Sequence, residues 1–260
     1  MPEVGAGVLT AGTSIPNPSG MNTRADELKA IHRAMSAELD TLRFGLPITH
    51  VYNPLVYARE PAERYFEWVG SGPIEAVFVG MNPGPYGMAQ TGVPFGTVSL
   101  VRDWLGIEGK VGKPEHEHPR RPVQGFACPR EEVSGTRLWG WALARFGTPQ
   151  RFFERFFVAN YCPLVFMEAS GRNRTPDKLS AAERKGLFEA CDRALAGVID
   201  TLSPGMVIGI GKFAEDRARS LLRGRGIPVG RILHPSPASP IANRGWREQA
   251  EKQLLDLGVL

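Results

Sequence analysis

After Thr23, apolar residues recur at three- and four-residue steps (Leu28, Ile31, Met35, Leu39, Leu42), with Asp26 and Glu27 in the first turn. That spacing predicts an amphipathic helix. The stretch Ile48–Ala58 reads as extended and broken by Pro54, and helical signal resumes over Pro61–Val69. A different pattern then appears. Ile74–Val79, Phe156–Asn160, Met206–Ile210 and Val229–Leu233 are short, continuous apolar runs rich in β-branched and aromatic residues, the mark of buried strands. Helical stretches alternate with them, notably Ser134–Arg145, Ser180–Thr201 and Lys212–Arg223. Strands alternating with helices predict a single α/β domain whose four-stranded parallel sheet is flanked by helices on both faces. Residues 1–22, rich in Gly, Pro, Ser and Thr, read as a flexible leader, and 23–260 as the folded domain. Gly109–Glu132 has no apolar periodicity and is expected to be a long loop, which in a compact domain usually serves function.

The chain of 260 residues is 42% hydrophobic and 22% charged, so it can bury a core without disulfides or metal. No apolar run approaches the roughly 20 residues of a membrane span, and the first residues lack the pattern of a secretory signal. A cytoplasmic, bacterial, nucleoid-associated protein is the expectation, or a nuclear one if the source is eukaryotic. Cys128, Cys162 and Cys191 are odd in number and lack CxxC spacing, so reduced thiols are expected and a four-thiolate zinc or iron–sulfur site is excluded. The net charge of +4 permits a polyanionic partner without requiring one.

Ligands of open parallel sheets bind beyond the carboxyl ends of the strands. Unusual residues stand at those ends here: Gly80-Met81-Asn82-Pro83-Gly84-Pro85 after the first strand, Asn160-Tyr161-Cys162-Pro163 after the second, and His234-Pro235-Ser236-Pro237 after the fourth. If the strands are parallel, Asn82, Asn160 and His234 converge. Singly, each has a plain structural reading, a local turn contact for the asparagines and a satisfied histidine; together they point to a site. Pro83 and Pro85 stiffen the loop around Asn82, and Gly84 lets a ligand approach its backbone. An amide held stiffly suits orienting a water or a substrate, not covalent attack. Phe95, flanked by Pro94 and Gly96, offers an aromatic face, although alone it reads more often as core.

Other motifs carry less. Gly209-Ile210-Gly211-Lys212 lacks P-loop spacing and reads as tight strand–helix packing. His116, Glu117, His118 and Cys128 lie in a proline-rich loop without i,i+4 geometry, so no metal is expected. No GxSxG elbow, HExxH motif or zinc-deaminase pattern is present.

With these residues in place, the chain resembles the single-strand-selective monofunctional uracil-DNA glycosylase family from about Ile48 to Trp246. Three blocks carry the resemblance: Gly80–Gly96 with Val98–Gly106, Phe157–Leu164, and His234–Pro237 with Asn243–Trp246. The resemblance implies a four-stranded parallel sheet flanked by helices, no cofactor, no metal, and a monomer acting on single- and double-stranded DNA. It implies that Asn82 orients the water attacking the deoxyribose C1′, and that His234 hydrogen-bonds uracil O2 and steadies the departing anion. Asn160 would read the Watson–Crick edge, Phe95 would stack on the base, and the Met81 backbone and Gly84 would belong to the pocket wall. The iron–sulfur branches of the superfamily are excluded by cysteine count, and a branch with Asp as water activator is disfavoured because position 82 is Asn.

The resemblance also implies room beside Gly84 for an ordered water near C5, and with it activity on uracil and 5-hydroxymethyluracil and little on thymine. The loop Pro235, Ser236, Pro237, Ala238, Ser239 through Ile241 to Arg244 is the expected DNA wedge. Ala238 stands where vertebrate members carry an arginine, so Ile241 or Arg244 is expected to share the wedging. Arg120, Arg121, Arg130, Arg137, Arg172 and Arg174 form an expected phosphate track. The alternative reading is a DNA-damage binder without turnover.

Overall fold

In the computed structural model, which describes residues 23–260, the chain forms seven strands: β1 (Ile48–Tyr52), β2 (Ala76–Gly80), β3 (Phe156–Asn160), β4 (Val165–Glu168), β5 (Asn173–Arg174), β6 (Met206–Ile210) and β7 (Val229–Ile232). The helices used below are α1 (Thr23–Leu39), α2 (Pro54–Tyr57), α3 (Arg59–Phe66), α4 (Met88–Thr91), α5 (Val98–Asp103) and α6 (Val133–Phe146). They continue with α7 (Pro149–Phe153), α8 (Ala181–Leu202), α9 (Lys212–Leu221) and α10 (Trp246–Asp256). The leader expected over 1–22 lies outside the described residues.

The four apolar runs pair as one parallel sheet in the order β3-β2-β6-β7. Val77, Phe78 and Val79 of β2 are wholly buried, which requires cover on both faces and explains why the strand carries no polar alternation. Helices α1, α3 and α8 pack together, as do α6, α7 and α10, while α9 packs on β6. The chain runs from β2 to β3 on one side and then to β6 on the other. Beside β2 the strand order therefore reverses, the position where such sheets bind ligands. In register, Gly80 is paired with Asn160, so two of the suspected strand ends are neighbours.

Two readings need correction. The segment 48–58 is not extended throughout: β1 ends at Tyr52, and Pro54 opens the short helix α2 because a proline fits the first helical position, where no N–H is needed. A second sheet, β1-β4-β5, antiparallel and three-stranded, accompanies the parallel one. Its strands are short, and β5 is two polar residues that become a strand only by pairing with β4. Helix α10 was also not anticipated. The loop 109–132 holds one 3-10 turn, Gly125–Ala127, and otherwise no helix or strand. No helix among the described residues is long and apolar enough to cross a membrane.

Candidate active site

At the carboxyl ends of the parallel strands lies a cleft of about 430 Å³, within the usual range for small-ligand sites. Met81, Asn82, Gly84, Phe95, Asn160, His234, Ser236 and Pro237 line it, so the residues expected from β2, β3 and β7 do converge. Pro235 is buried, and Ala238, Ser239, Ile241 and Arg244 lie outside the lining. Glu132, Ser134, Asn173 and Thr175 line the cleft as well, and sequence reading missed them.

Asn82 donates its Nδ2 to the Leu164 carbonyl at 3.1 Å and to the Pro83 carbonyl at 3.3 Å. Carbonyls only accept, so these bonds fix which end of the amide is which and leave Oδ1 as a free acceptor for a donor in the cleft. Leu164 immediately precedes β4, so the unanticipated sheet orients the central residue of the site.

Asn160 points Nδ2 at the Met88 sulfur, 3.3 Å away, and its Oδ1 is buried without a hydrogen-bond partner. A buried orphan acceptor is costly unless a ligand satisfies it. Asn173 Oδ1, on β5, is a second such orphan in the same lining. Gly80 is what lets Asn160 approach: a Cβ there would lie 2.5 Å from both Asn160 Oδ1 and Phe95 Cε2.

Phe95 is a non-glycine residue at φ 55°, a conformation that costs backbone energy and persists only when its surroundings enforce it. Here they do. The Trp139 indole donates to the Pro94 carbonyl at 3.0 Å, and a Cβ at Gly135 would come within 2.0 Å of the Phe95 carbonyl. Helix α6 thus abuts the loop and fixes the ring, whose centroid lies 6.2 Å from that of His234.

Both backbone groups of Leu233 are clamped by α10: Gln253 Oε1 accepts from its N–H at 2.7 Å, and Trp246 Nε1 donates to its carbonyl at 2.6 Å. The chain end that carries His234 is therefore rigid. Burial lowers the imidazole pKa to about 4, so His234 is neutral at physiological pH and presents one N–H donor. The Gly-Ile-Gly-Lys motif is explained by packing, as expected: a Cβ at Gly209 would meet the Glu215 backbone nitrogen at 2.3 Å, and one at Gly211 would press on the His234 Cβ at 3.2 Å.

The stiff loop after β2 is tied to loop 109–132 through Gln90, which is wholly buried. Its Nε2 donates to the carbonyls of Pro85 and Pro122 at 2.8 and 3.1 Å, and its Oε1 accepts from Gln124 and Gly125 N–H at 2.7 and 3.1 Å. All four hydrogen-bonding positions of the amide are used. The expected room beside Gly84 is bounded by Glu132: a Cβ at 84 would sit 2.7 Å from Glu132 Oε2. Burial raises the Glu132 pKa, and its carboxylate accepts from the Tyr86 N–H at 3.3 Å.

Glu132 and His234 are the only titratable side chains in the lining, which contains no lysine, cysteine or aspartate. Among the described residues no three His, Cys, Asp or Glu side chains are grouped to hold a metal ion. His118 instead is buried and donates from Nε2 to the Ala169 carbonyl at 3.2 Å, and Glu117 accepts from the Val123 N–H at 2.8 Å. The three cysteines are free and buried.

The expected phosphate track divides. Arg137 turns inward, donating to the carbonyls of Pro235 and Ser236 at 3.0 and 3.3 Å and to Asn243 Oδ1 at 2.8 Å, so it props the loop after His234. Arg174 is paired with Glu168 at 3.0 Å. Ile241, 53% exposed, is the exposed large hydrophobic residue of the propped loop.

The chain is similar to known proteins in fold and in sequence. Over 90% of the chain the fold superposes on 97% of the crystal structure of Pedobacter heparinus SMUG2, with a TM-score of 0.65 at 16% identity. The family model described as Uracil DNA glycosylase superfamily matches residues 69–255. Single-strand selective monofunctional uracil-DNA glycosylase of Rattus norvegicus is 50% identical over 228 residues, covering 87% of this chain and 82% of the rat protein. The Bos taurus protein of the same name is 48% identical, covering 87% of this chain and 84% of its own. The chain belongs to the uracil DNA glycosylase superfamily and, within it, to the family of single-strand selective monofunctional uracil-DNA glycosylases.

Proposed function

We propose that this protein is a monofunctional glycosylase of base excision repair that acts as a monomer on single- and double-stranded DNA. It takes a flipped uracil into the cleft and releases it by water attack at C1′, leaving an abasic site. The observation that carries this reading is the buried, unpartnered Oδ1 of Asn160. Uracil offers one donor on its Watson–Crick edge, N3–H, beside the O4 acceptor, and an amide presenting Oδ1 and Nδ2 complements both. Cytosine offers an acceptor at N3 and would leave Oδ1 unpaired in a dry site, which is the stronger form of discrimination.

Glycosidic cleavage builds positive charge on the sugar and negative charge on the base. The neutral His234 donates to O2 of the departing uracil, a preorganised dipole directed at developing charge. Asn82 Oδ1, held outward by Leu164, accepts from the attacking water and aims its lone pair. Phe95 stacks on the ring. Without a lysine in the lining no Schiff base forms, so the DNA strand is left intact.

Glu132 refines the C5 side of the site. A 5-hydroxymethyl hydroxyl donates to its carboxylate or replaces a water bound there, whereas a thymine methyl strips that water and returns nothing. The test uses oligonucleotides carrying one uracil, 5-hydroxymethyluracil, thymine or cytosine. Release of the first two with little release of the others supports the reading, whereas equal release of thymine contradicts it. Tight binding without release would identify a damage-binding protein instead.

A further inference from the structure

Resting on that reading, we propose that Arg121, Arg130 and Tyr86 form a clamp for one backbone phosphate of the DNA strand entering the cleft. Tyr86 lies between Pro85 and Gly87, both of which line the cleft, and its N–H donates to Glu132 of the same lining, so the residue adjoins the cleft. Arg121 Nη1 and Arg130 Nη1 donate to the same phenol oxygen, at 2.9 and 2.6 Å. Both guanidinium carbons also stand over the Tyr86 ring, 5.6 and 5.0 Å from its centroid.

A phenol oxygen satisfies a donor without neutralising its charge. Two cations gathered on one neutral acceptor repel each other, an arrangement that an anion between them relieves. Among the described residues neither guanidinium is ion-paired to a carboxylate. The neighbouring carboxylate, Glu132, faces Gly84 and the Tyr86 backbone. Arg174 and Arg137 show the contrast, because their side chains are committed within the protein. Arg121 is also steadied by the Gly171 carbonyl at 3.1 Å and the Arg120 carbonyl at 3.1 Å, while Arg130 is exposed. The remaining N–H groups of two planar forks match phosphodiester oxygens. The clamp carries no base information; it sets where the strand lies while Asn160 reads the base.

The test is equilibrium binding, by fluorescence anisotropy, of a short single-stranded oligonucleotide containing a stable abasic analogue. Wild type, Arg130→Gln and Arg121→Gln/Arg130→Gln would be titrated across salt concentrations. The log–log salt slope should become shallower by about 0.7, the share of one phosphate, for the double variant and by less for the single, with affinity at low salt falling roughly tenfold for the double. Replacing single phosphates by uncharged methylphosphonates should locate one position that weakens wild type and leaves the double variant indifferent. That position effect separates a strand phosphate from free phosphate bound at the same arginines. Tyr86→Phe, which removes the shared acceptor and keeps both charges, should lower affinity a few-fold with the slope unchanged. Unchanged slopes in the arginine variants, with the same methylphosphonate profile as wild type, would overturn the clamp. Binding requires no turnover, so a failure to release uracil would remove the proposed activity and leave this test intact.

Discussion

The side-chain amide of Asn82 donates to the carbonyl of Leu164 at 3.1 Å, across 82 residues of sequence, and so turns its own oxygen toward the cleft. The position therefore needs an amide, not merely a polar group. Asn82→Ala removes the acceptor proposed for the attacking water and should lower single-turnover release of uracil about 10²–10³-fold. Asn82→Asp keeps an oxygen but has no N–H for Leu164, and should lose a comparable factor with uracil affinity retained. Single-turnover rates against substrate binding make the check; an Asp variant with wild-type rate would refute the role of the Leu164 bond.

His234 and His32 both have imidazole pKa values lowered to about 4 by burial. Their ordinary value is near 6.5. In each case the unfolded chain takes up a proton before the folded one does, so stability is complete above pH 6.5 and is lost as pH falls from there toward 4. Each contributes up to about 3 kcal/mol to that loss. The melting temperature should fall through this window, and His234→Asn should flatten the fall. The rate of release should show no His234 limb near pH 6.5; a limb there, abolished by His234→Asn, would contradict a neutral, desolvated imidazole.

Gly80 and Gly84 predict opposite outcomes for the same substitution. A Cβ at Gly80 would lie 2.5 Å from Asn160 Oδ1 and Phe95 Cε2, groups held by a buried strand and a strained loop. Gly80→Ala should therefore cost more than about 10²-fold in kcat/KM on uracil. At Gly84 the Cβ meets the carboxylate tip of Glu132, which can swing aside. Gly84→Ala should leave uracil release within about tenfold and reduce 5-hydroxymethyluracil release further. Competing the two bases in one oligonucleotide mixture reads the ratio directly.

Ile241, exposed on a loop that Arg137 holds by three hydrogen bonds, is the proposed wedge into the stack vacated by a flipped base. Ile241→Ala should slow release from duplex roughly tenfold and leave single-stranded substrate unaffected, because unstacking a paired base costs a few kcal/mol that an unpaired one is spared. Ala238→Arg should raise duplex activity. Equal effects on both substrates would exclude a wedge.

Much of this architecture is legible in the chain. Val77, Phe78 and Val79 read as a doubly covered strand, and Asn82, Asn160 and His234 stand at the carboxyl ends of three predicted strands. What escaped depends on long-range pairing. Asn173 and Thr175 look like ordinary loop residues until β5 pairs with β4, and nothing local distinguishes them. Glu132 reads only as the end of the long loop 109–132, and the close approach of Gly84 and Gly87 is what reveals that it walls the cleft. Gly80 could have been found, since a glycine directly before the motif, at the end of an otherwise β-branched strand, signals close approach of other groups. The inward turn of Arg137 was not legible because residue type does not show where the head of a long side chain is spent.

The central claim is hydrolytic release of uracil by Asn82 and His234 without strand cleavage. It is tested most directly with an end-labelled single-stranded oligonucleotide containing one uracil, incubated with wild type, Asn82→Ala or His234→Ala and resolved with and without hot alkali. The account predicts a cleaved product for wild type only after alkali, reduced at least a hundredfold in both variants. Cleavage without alkali, or undiminished product from either variant, would contradict it.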